Sequence, residues 1–370
     1  MQSKYSYKII WISVVLSFTA GVLQAGNDSN NFNQTRSISI SVDPRVELVS
    51  IIFKLAGNPE YNRSLFFSYI SDIDEHFGKF REHPAVELAK ELRNTRGVSY
   101  DAPMSLAIHI RDINDFEMLV PLEPFPEQLD GRWETFRVRE FLEKARQFSK
   151  ETKFNDFFNS HKPMYERAVS RLRSLIEKEA HLEWFDDFFG ARPGAEFHIF
   201  LGMTNGPSSY GPRFKLEEKE KYYCILGVWK FAYFGLGEPR FDRTLMPTVI
   251  HEFCHSYANP IVDAHLVQLE EPGRRIFSKV QEQMKNNAYG QWQTVMRESL
   301  VRACVVRYLV KNEGLDEANR QIESDISRGF FWIRELSDLL IEYEQQRQTY
   351  KTLDEFFPNV IEFFKNYDIE

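Results

Sequence analysis

The sequence predicts a predominantly helical α+β domain, and three observations carry that expectation. Helical spacing of apolar residues dominates residues 64–180 and returns from residue 244 onward. Strand-type patterning is confined to three short stretches, 37–42, 195–201 and 221–229. No repeat, low-complexity tract or clear linker divides the chain, so residues 36–370 read as one domain, with a helical part over 36–190 followed by a second part over 191–370.

Taken in order, the chain opens with Lys4 and Lys8 ahead of an apolar run over residues 9–20, and Ala25 offers a small residue before Gly26. That layout predicts a signal peptide over 1–25 and hence an exported protein, secreted or periplasmic. The run is short for a membrane span, and no stable insertion is expected once it is removed; the rival is an uncleaved N-terminal anchor. Residues 26–35 are polar and read as a disordered lead-in. Residues 37–42 alternate with period two, and Asp43-Pro44 then opens a helix ending near Gly57. The following helices break near Pro103 and in the turn region between Pro121 and Pro126. The two later strands flank a glycine- and proline-rich loop over 202–212, and long amphipathic segments follow at 291–311, 315–327 and 331–347.

Composition narrows the classes. Hydrophobic residues make up 43% of the 370 and charged residues 27%, enough for a substantial core. The 32 phenylalanines, many in pairs, read as core packing. Net charge is −8, and removing residues 1–25, with two lysines and no acid, takes it to −10. That balance disfavours nucleic acid as a partner, which usually demands a basic face. Three cysteines, Cys224, Cys254 and Cys304, do not make a disulfide framework.

The most specific signal is His251-Glu252-Phe253-Cys254-His255, an HExxH pentapeptide in a largely apolar stretch. Residues four apart share a helix face, so both imidazoles can reach one zinc ion, one per chain. Glu252 is turned about 100° from His251 and is placed as a general base rather than a ligand. Pro247 suits a first helical turn, and Asn259-Pro260 predicts the helix end. The extended motif with a third histidine is excluded, because Ala258 and Ile261 stand at its positions. A catalytic zinc takes three protein ligands, and Glu298, on a later helix, is the candidate for the third. Pairing of Glu298 with Arg302 one turn on is the competing reading, with Asp263 and His265 as reserve ligands.

His251, Glu252, His255 and a later Glu298 together resemble the gluzincin branch of the zincin metallopeptidases. More widely, Val42-Asp43-Pro44-Arg45-Val46-Glu47-Leu48, His83-Pro84-Ala85-Val86-Glu87, Ser99-Tyr100-Asp101-Ala102-Pro103 and the Tyr210-Gly211 loop look like a group of exported, mostly bacterial proteins. That group is catalogued as a domain of unknown function carrying HExxH, and the resemblance spans most of residues 37–365. It implies a zincin-like core: a small sheet above the zinc helix, a second helix supplying Glu298, and residues 191–370 as the catalytic part. Many gluzincins carry an aspartate four residues beyond the ligand glutamate; here Arg302 stands there, leaving Asp242 or Asp263 as candidates to support a histidine.

The expected activity is hydrolysis of a peptide or protein substrate, with Glu252 moving the proton. Tyr210 is the expected oxyanion donor, with Tyr257 and His265 as alternatives. Two other readings are a non-catalytic zinc-containing peptide-binding module and a zinc hydrolase acting on a non-peptide amide or ester.

Overall fold

A computed structural model describes residues 38–216, 219–287 and 289–368. The signal peptide expected over 1–25 and the lead-in over 26–35 lie outside the described residues. Among the described residues, no helix is long and apolar enough to cross a membrane.

The fold is α+β and mostly helical, around one four-stranded mixed sheet. Its strands are β1 (Ile38–Ser41), β2 (Ala195–Gly202), β3 (Arg213–Leu216) and β4 (Lys219–Gly227), in the order β1-β2-β4-β3. β1 and β2 run parallel, as do β2 and β4, while β3 returns antiparallel along the free edge of β4. Residues 222–227 are buried without a break, as expected of a central strand covered on both faces. β3 was not legible in the sequence. The polar–apolar alternation of Arg213-Phe214-Lys215-Leu216 is only four residues long and follows directly on the glycine- and proline-rich loop, and the stretch becomes a strand by pairing with β4.

One face of the sheet carries α1 (Pro44–Leu55) and α4 (Asp101–His109), with His109 edge-on to Phe214 at 5.0 Å. Asp43 caps α1 by accepting from the Arg45 N–H at 2.9 Å, and Pro44 occupies the first turn, where its missing N–H costs nothing. The helices α2 (Phe67–Phe77), α3 (Pro84–Arg96), α5 (Thr135–Glu151), α6 (Phe154–Glu179) and α7 (Trp184–Phe189) complete the part before β2.

The opposite face carries α8 (Met246–Ala264). Its Phe253 meets Phe197 of β2 at 4.8 Å and its Tyr257 meets Tyr222 of β4 at 4.9 Å, both near edge-on. Such pairs contribute about 0.5–1.5 kcal/mol each beyond burial. The expected stop at Asn259-Pro260 is corrected: α8 continues through Pro260 to Ala264. Proline removes one donor from the ladder, but buried Ile261 and Val262 hold the last turn by packing. Beyond α8 come α9 (Leu266–Asn286), α10 (Trp292–Asn312), α11 (Leu315–Ser327), α12 (Ile333–Gln345) and α13 (Leu353–Asn366). The predicted segments 291–311, 315–327 and 331–347 correspond to α10, α11 and α12.

A fully buried carboxylate ties α1 to the end of β2. Glu47 of α1 accepts from the Met203 N–H at 2.7 Å, the Thr204 hydroxyl at 2.8 Å and the Tyr69 hydroxyl at 3.0 Å. It thereby fixes the turn leaving β2, from which residues 207–212 run on to β3. Burial pushes the Glu47 carboxyl up to about 6, against the lowering effect of these hydrogen bonds. A raised folded-state value means the stability contribution is complete below the ordinary carboxylate range and is lost as pH rises through about 6. Glu47→Gln keeps the acceptor oxygen and removes the titration. Its stability relative to the parent should therefore rise by about 2 kcal/mol as pH increases across that window, read by urea unfolding at several pH values. A pH-independent difference would refute the assignment.

Candidate metal centre

Two residues along a helix differ by about 200° in direction, so if Phe253 and Tyr257 face the sheet, His251 and His255 face away from it. On that far side α10 packs along α8 and presents Glu298. The His251 and His255 Nε2 atoms lie 3.2 Å apart. His251 Nε2 is 3.5 Å from Glu298 Oε2, and His255 Nε2 is 3.4 Å from Glu298 Oε1. For zinc bonds of about 2.0–2.1 Å, a tetrahedral site separates its ligand atoms by about 3.3 Å. The His251–His255 edge falls close to that value, the two distances to the glutamate run to different carboxylate oxygens, and with one ligand atom from each residue the three lie within 4.8 Å of one another; the donor set suits a divalent zinc-type ion. The histidine side chains keep 19% and 16% of their surface, so the cluster is reachable from solvent. Among the described residues it is the one group of three or more ligand-type side chains drawn together in this way.

The surroundings orient each side chain of the cluster. Nδ1 of His255 lies 3.2 Å from Asn259 Oδ1; a proton on Nδ1 donated to that oxygen leaves Nε2 bare for a metal. Burial keeps His251 well below its ordinary range, so its imidazole is neutral. Glu298 Oε2 accepts from Arg302 at 3.0 Å and from the Tyr289 hydroxyl at 3.1 Å. Burial alone would raise the Glu298 carboxyl, but its neighbours lower it, and with His251 neutral that lowering falls to the permanent charge of Arg302 and the Tyr289 hydroxyl.

Arg302 is itself pinned. It donates to Asp325 of α11, whose other oxygen accepts from Gln321 at 3.0 Å, and its guanidinium lies 4.5 Å over the Phe330 ring. Pairing with Arg302 and facing the two imidazoles are thus not alternatives for Glu298; the geometry has both. Arg302 steadies the glutamate where the resemblance led to an acid steadying a histidine.

Glu252 sits one position from His251 and is almost fully buried; burial, then the Glu298 charge, push its carboxyl well above the ordinary range. Its backbone carbonyl is roofed by Gly211, where a Cβ would come within 2.1 Å of the Glu252 oxygen, so only glycine passes there. Tyr210 pairs by backbone with Ile225 and is buried, with Glu252 among the charges acting on its hydroxyl. Burial holds that phenol well above its ordinary value, so it stays protonated.

The reserve residues lie elsewhere. Asp263 pairs with Arg297 at 2.6 Å, and His265 bonds the Ile261 carbonyl at 2.9 Å. Tyr257 is buried on the sheet side of α8. Asp242 caps Thr244 and pairs with Lys230 at 2.7 Å, so neither Asp242 nor Asp263 supports a histidine. Cys254 is buried and free, as are Cys224 and Cys304. Tyr289 and Asp325 escaped the sequence reading. Asp325 left a trace, an acid on the apolar face of α11 with Ala318 and Ile322; Tyr289 left none, because it lies in the connection between α9 and α10.

A family model described as Domain of unknown function (DUF4932) matches residues 38–363. The chain belongs to this family. No curated protein and no solved structure matches it.

Removing Arg302 leaves Glu298 and Asp325 buried without their cation. Arg302→Leu should cost about 3–5 kcal/mol in urea unfolding. Adding Asp325→Leu should recover part of that loss, and a fully additive second loss would show that the two residues do not act as a unit.

Proposed function

We propose that this chain is an exported zinc-dependent metallopeptidase with a zincin-like core. One observation carries the reading: two imidazoles and a pinned carboxylate converge with their ligand atoms within 4.8 Å of one another, and Glu252 lies beside them on the helix that bears both histidines. A purely structural ion has no use for that extra buried acid. The mixed sheet over α8, with α10 delivering Glu298, supports the zincin-like comparison.

His251, His255 and Glu298 would hold the zinc, which would supply Lewis acidity to activate a water and polarise a scissile carbonyl. Glu252 accepts the proton of the attacking water and passes it to the departing amine. Tyr210, protonated and within electrostatic reach of Glu252, donates to the developing oxyanion.

Metal analysis of the purified chain should find one zinc per chain, lost in His251→Ala, His255→Ala and Glu298→Ala. Glu252→Gln should keep the zinc and lower turnover of fluorogenic peptides by about 10²–10⁴-fold. Equal background in the parent and Glu252→Gln would point to a binding module, and turnover confined to esters or non-peptide amides to another hydrolase. Tyr210→Phe should lower kcat with zinc content unchanged; an unchanged kcat removes Tyr210 from the mechanism.

A further inference from the structure

We propose that the hairpin spanning residues 229–241 is a docking tip that seats the protein on an anionic lipid surface. The hairpin base is firmly fastened. Phe231 pairs with Pro239, the Ala232 N–H donates to the Glu238 carbonyl at 3.0 Å, and the Gly237 N–H donates to the Ala232 carbonyl at 3.0 Å. Phe231 stacks on Phe66 at 4.9 Å, and Arg167 and Arg171 of α6 both grip the Glu238 carboxylate at 2.6 Å.

The tip, by contrast, is turned outward. Tyr233 and Phe234 hold the left-handed backbone region, with φ of 50° and 54°, which residues bearing a Cβ disfavour. Gly235 follows at φ 93°, packed so closely that a Cβ would come within 2.1 Å of the Leu65 carbonyl. The result is Phe234 at 98% exposure, Tyr233 at 79% and Leu236 at 70%, beside Leu65 at 51% and Phe67 at 50%. Nine large hydrophobic residues are exposed among the described residues, and these five form one patch. Scattered apolar residues are ordinary on a surface; a concentration held out by disfavoured backbone is not.

Charge selects the occupant. Arg63, two residues before Leu65, and Arg240, whose N–H closes the hairpin onto Lys230, are exposed and make no ion pair among the described residues. Arg167 and Arg171 share the single acid Glu238, while Lys230 is balanced by Asp242. Of these charged groups, five are cationic and two anionic, on a chain whose net charge is −8. A convex aromatic tip inside a cationic collar matches the apolar boundary and anionic headgroups of a bilayer. The contact is peripheral, in keeping with the absence of a membrane-crossing helix among the described residues.

The test uses the full chain and phosphatidylcholine vesicles with and without phosphatidylglycerol. Phe234→Trp should gain fluorescence quenched by brominated lipid in the phosphatidylglycerol vesicles, reporting the tip itself. In co-sedimentation, Phe234→Ser with Leu236→Ser, and separately Arg63→Glu with Arg240→Glu, should each weaken binding to anionic vesicles about tenfold or more. Leu315→Ser, another exposed apolar residue, should change nothing, and all variants should melt like the parent. Fluorescence that stays unquenched in Phe234→Trp, or equal binding by the double serine variant, overturns the proposal. So does loss of a dimer in that double variant by light scattering, which would make the patch a contact between two copies.

Discussion

Everything around the candidate site depends on placing a carboxylate opposite two imidazoles and keeping it there. Glu298 does so from inside the protein, where an unpaired charge would cost several kcal/mol. Arg302 makes that burial tolerable, and Asp325 in turn satisfies Arg302. Two carboxylates and one guanidinium leave a residual negative charge beside two imidazole nitrogens, a balance that favours a divalent cation. The same chain of contacts orients Glu298, since its Oε2 is held by Arg302 and Tyr289 while Oε1 is left facing His255.

The sheet and the early helices serve this arrangement at a distance. α8 is gripped on its sheet side by Phe197 and Tyr222, which sets the rotation of the helix and sends His251 and His255 towards α10. Glu47 fixes the turn after β2, and the chain leaving that turn crosses Glu252 at Gly211. The first half of the domain therefore shapes the roof over Glu252 without contributing a side chain to the cluster.

The hairpin at residues 229–241 stands apart from that logic. In the site, Glu298, Arg302 and Asp325 are charged, buried and paired with one another; at the tip, apolar groups are exposed and the backbone is held in a disfavoured form. Both depart from the ordinary arrangement of apolar inside and polar outside, and each is fastened by arginines, Arg302 in one case and Arg167 with Arg171 in the other.

Local pattern was enough to find the helical α+β class, three of the four strands, the long helices after residue 291, and His251, Glu252, His255 and Glu298 as the group to watch. Those features repeat with the period of the element that bears them, so neighbours in sequence reveal them. Tertiary packing alone decided the rest. β3 exists because β4 lends it partners, and α8 outlasts Pro260 because Ile261 and Val262 are buried. Arg302 looked like a departure from a pattern until Asp325, 23 residues away, completed its charge pairing. Tyr289 reached Glu298 from an irregular connection with no periodicity to announce it. Periodicity reports which face a residue occupies; what that face meets depends on how elements far apart in the chain are brought together.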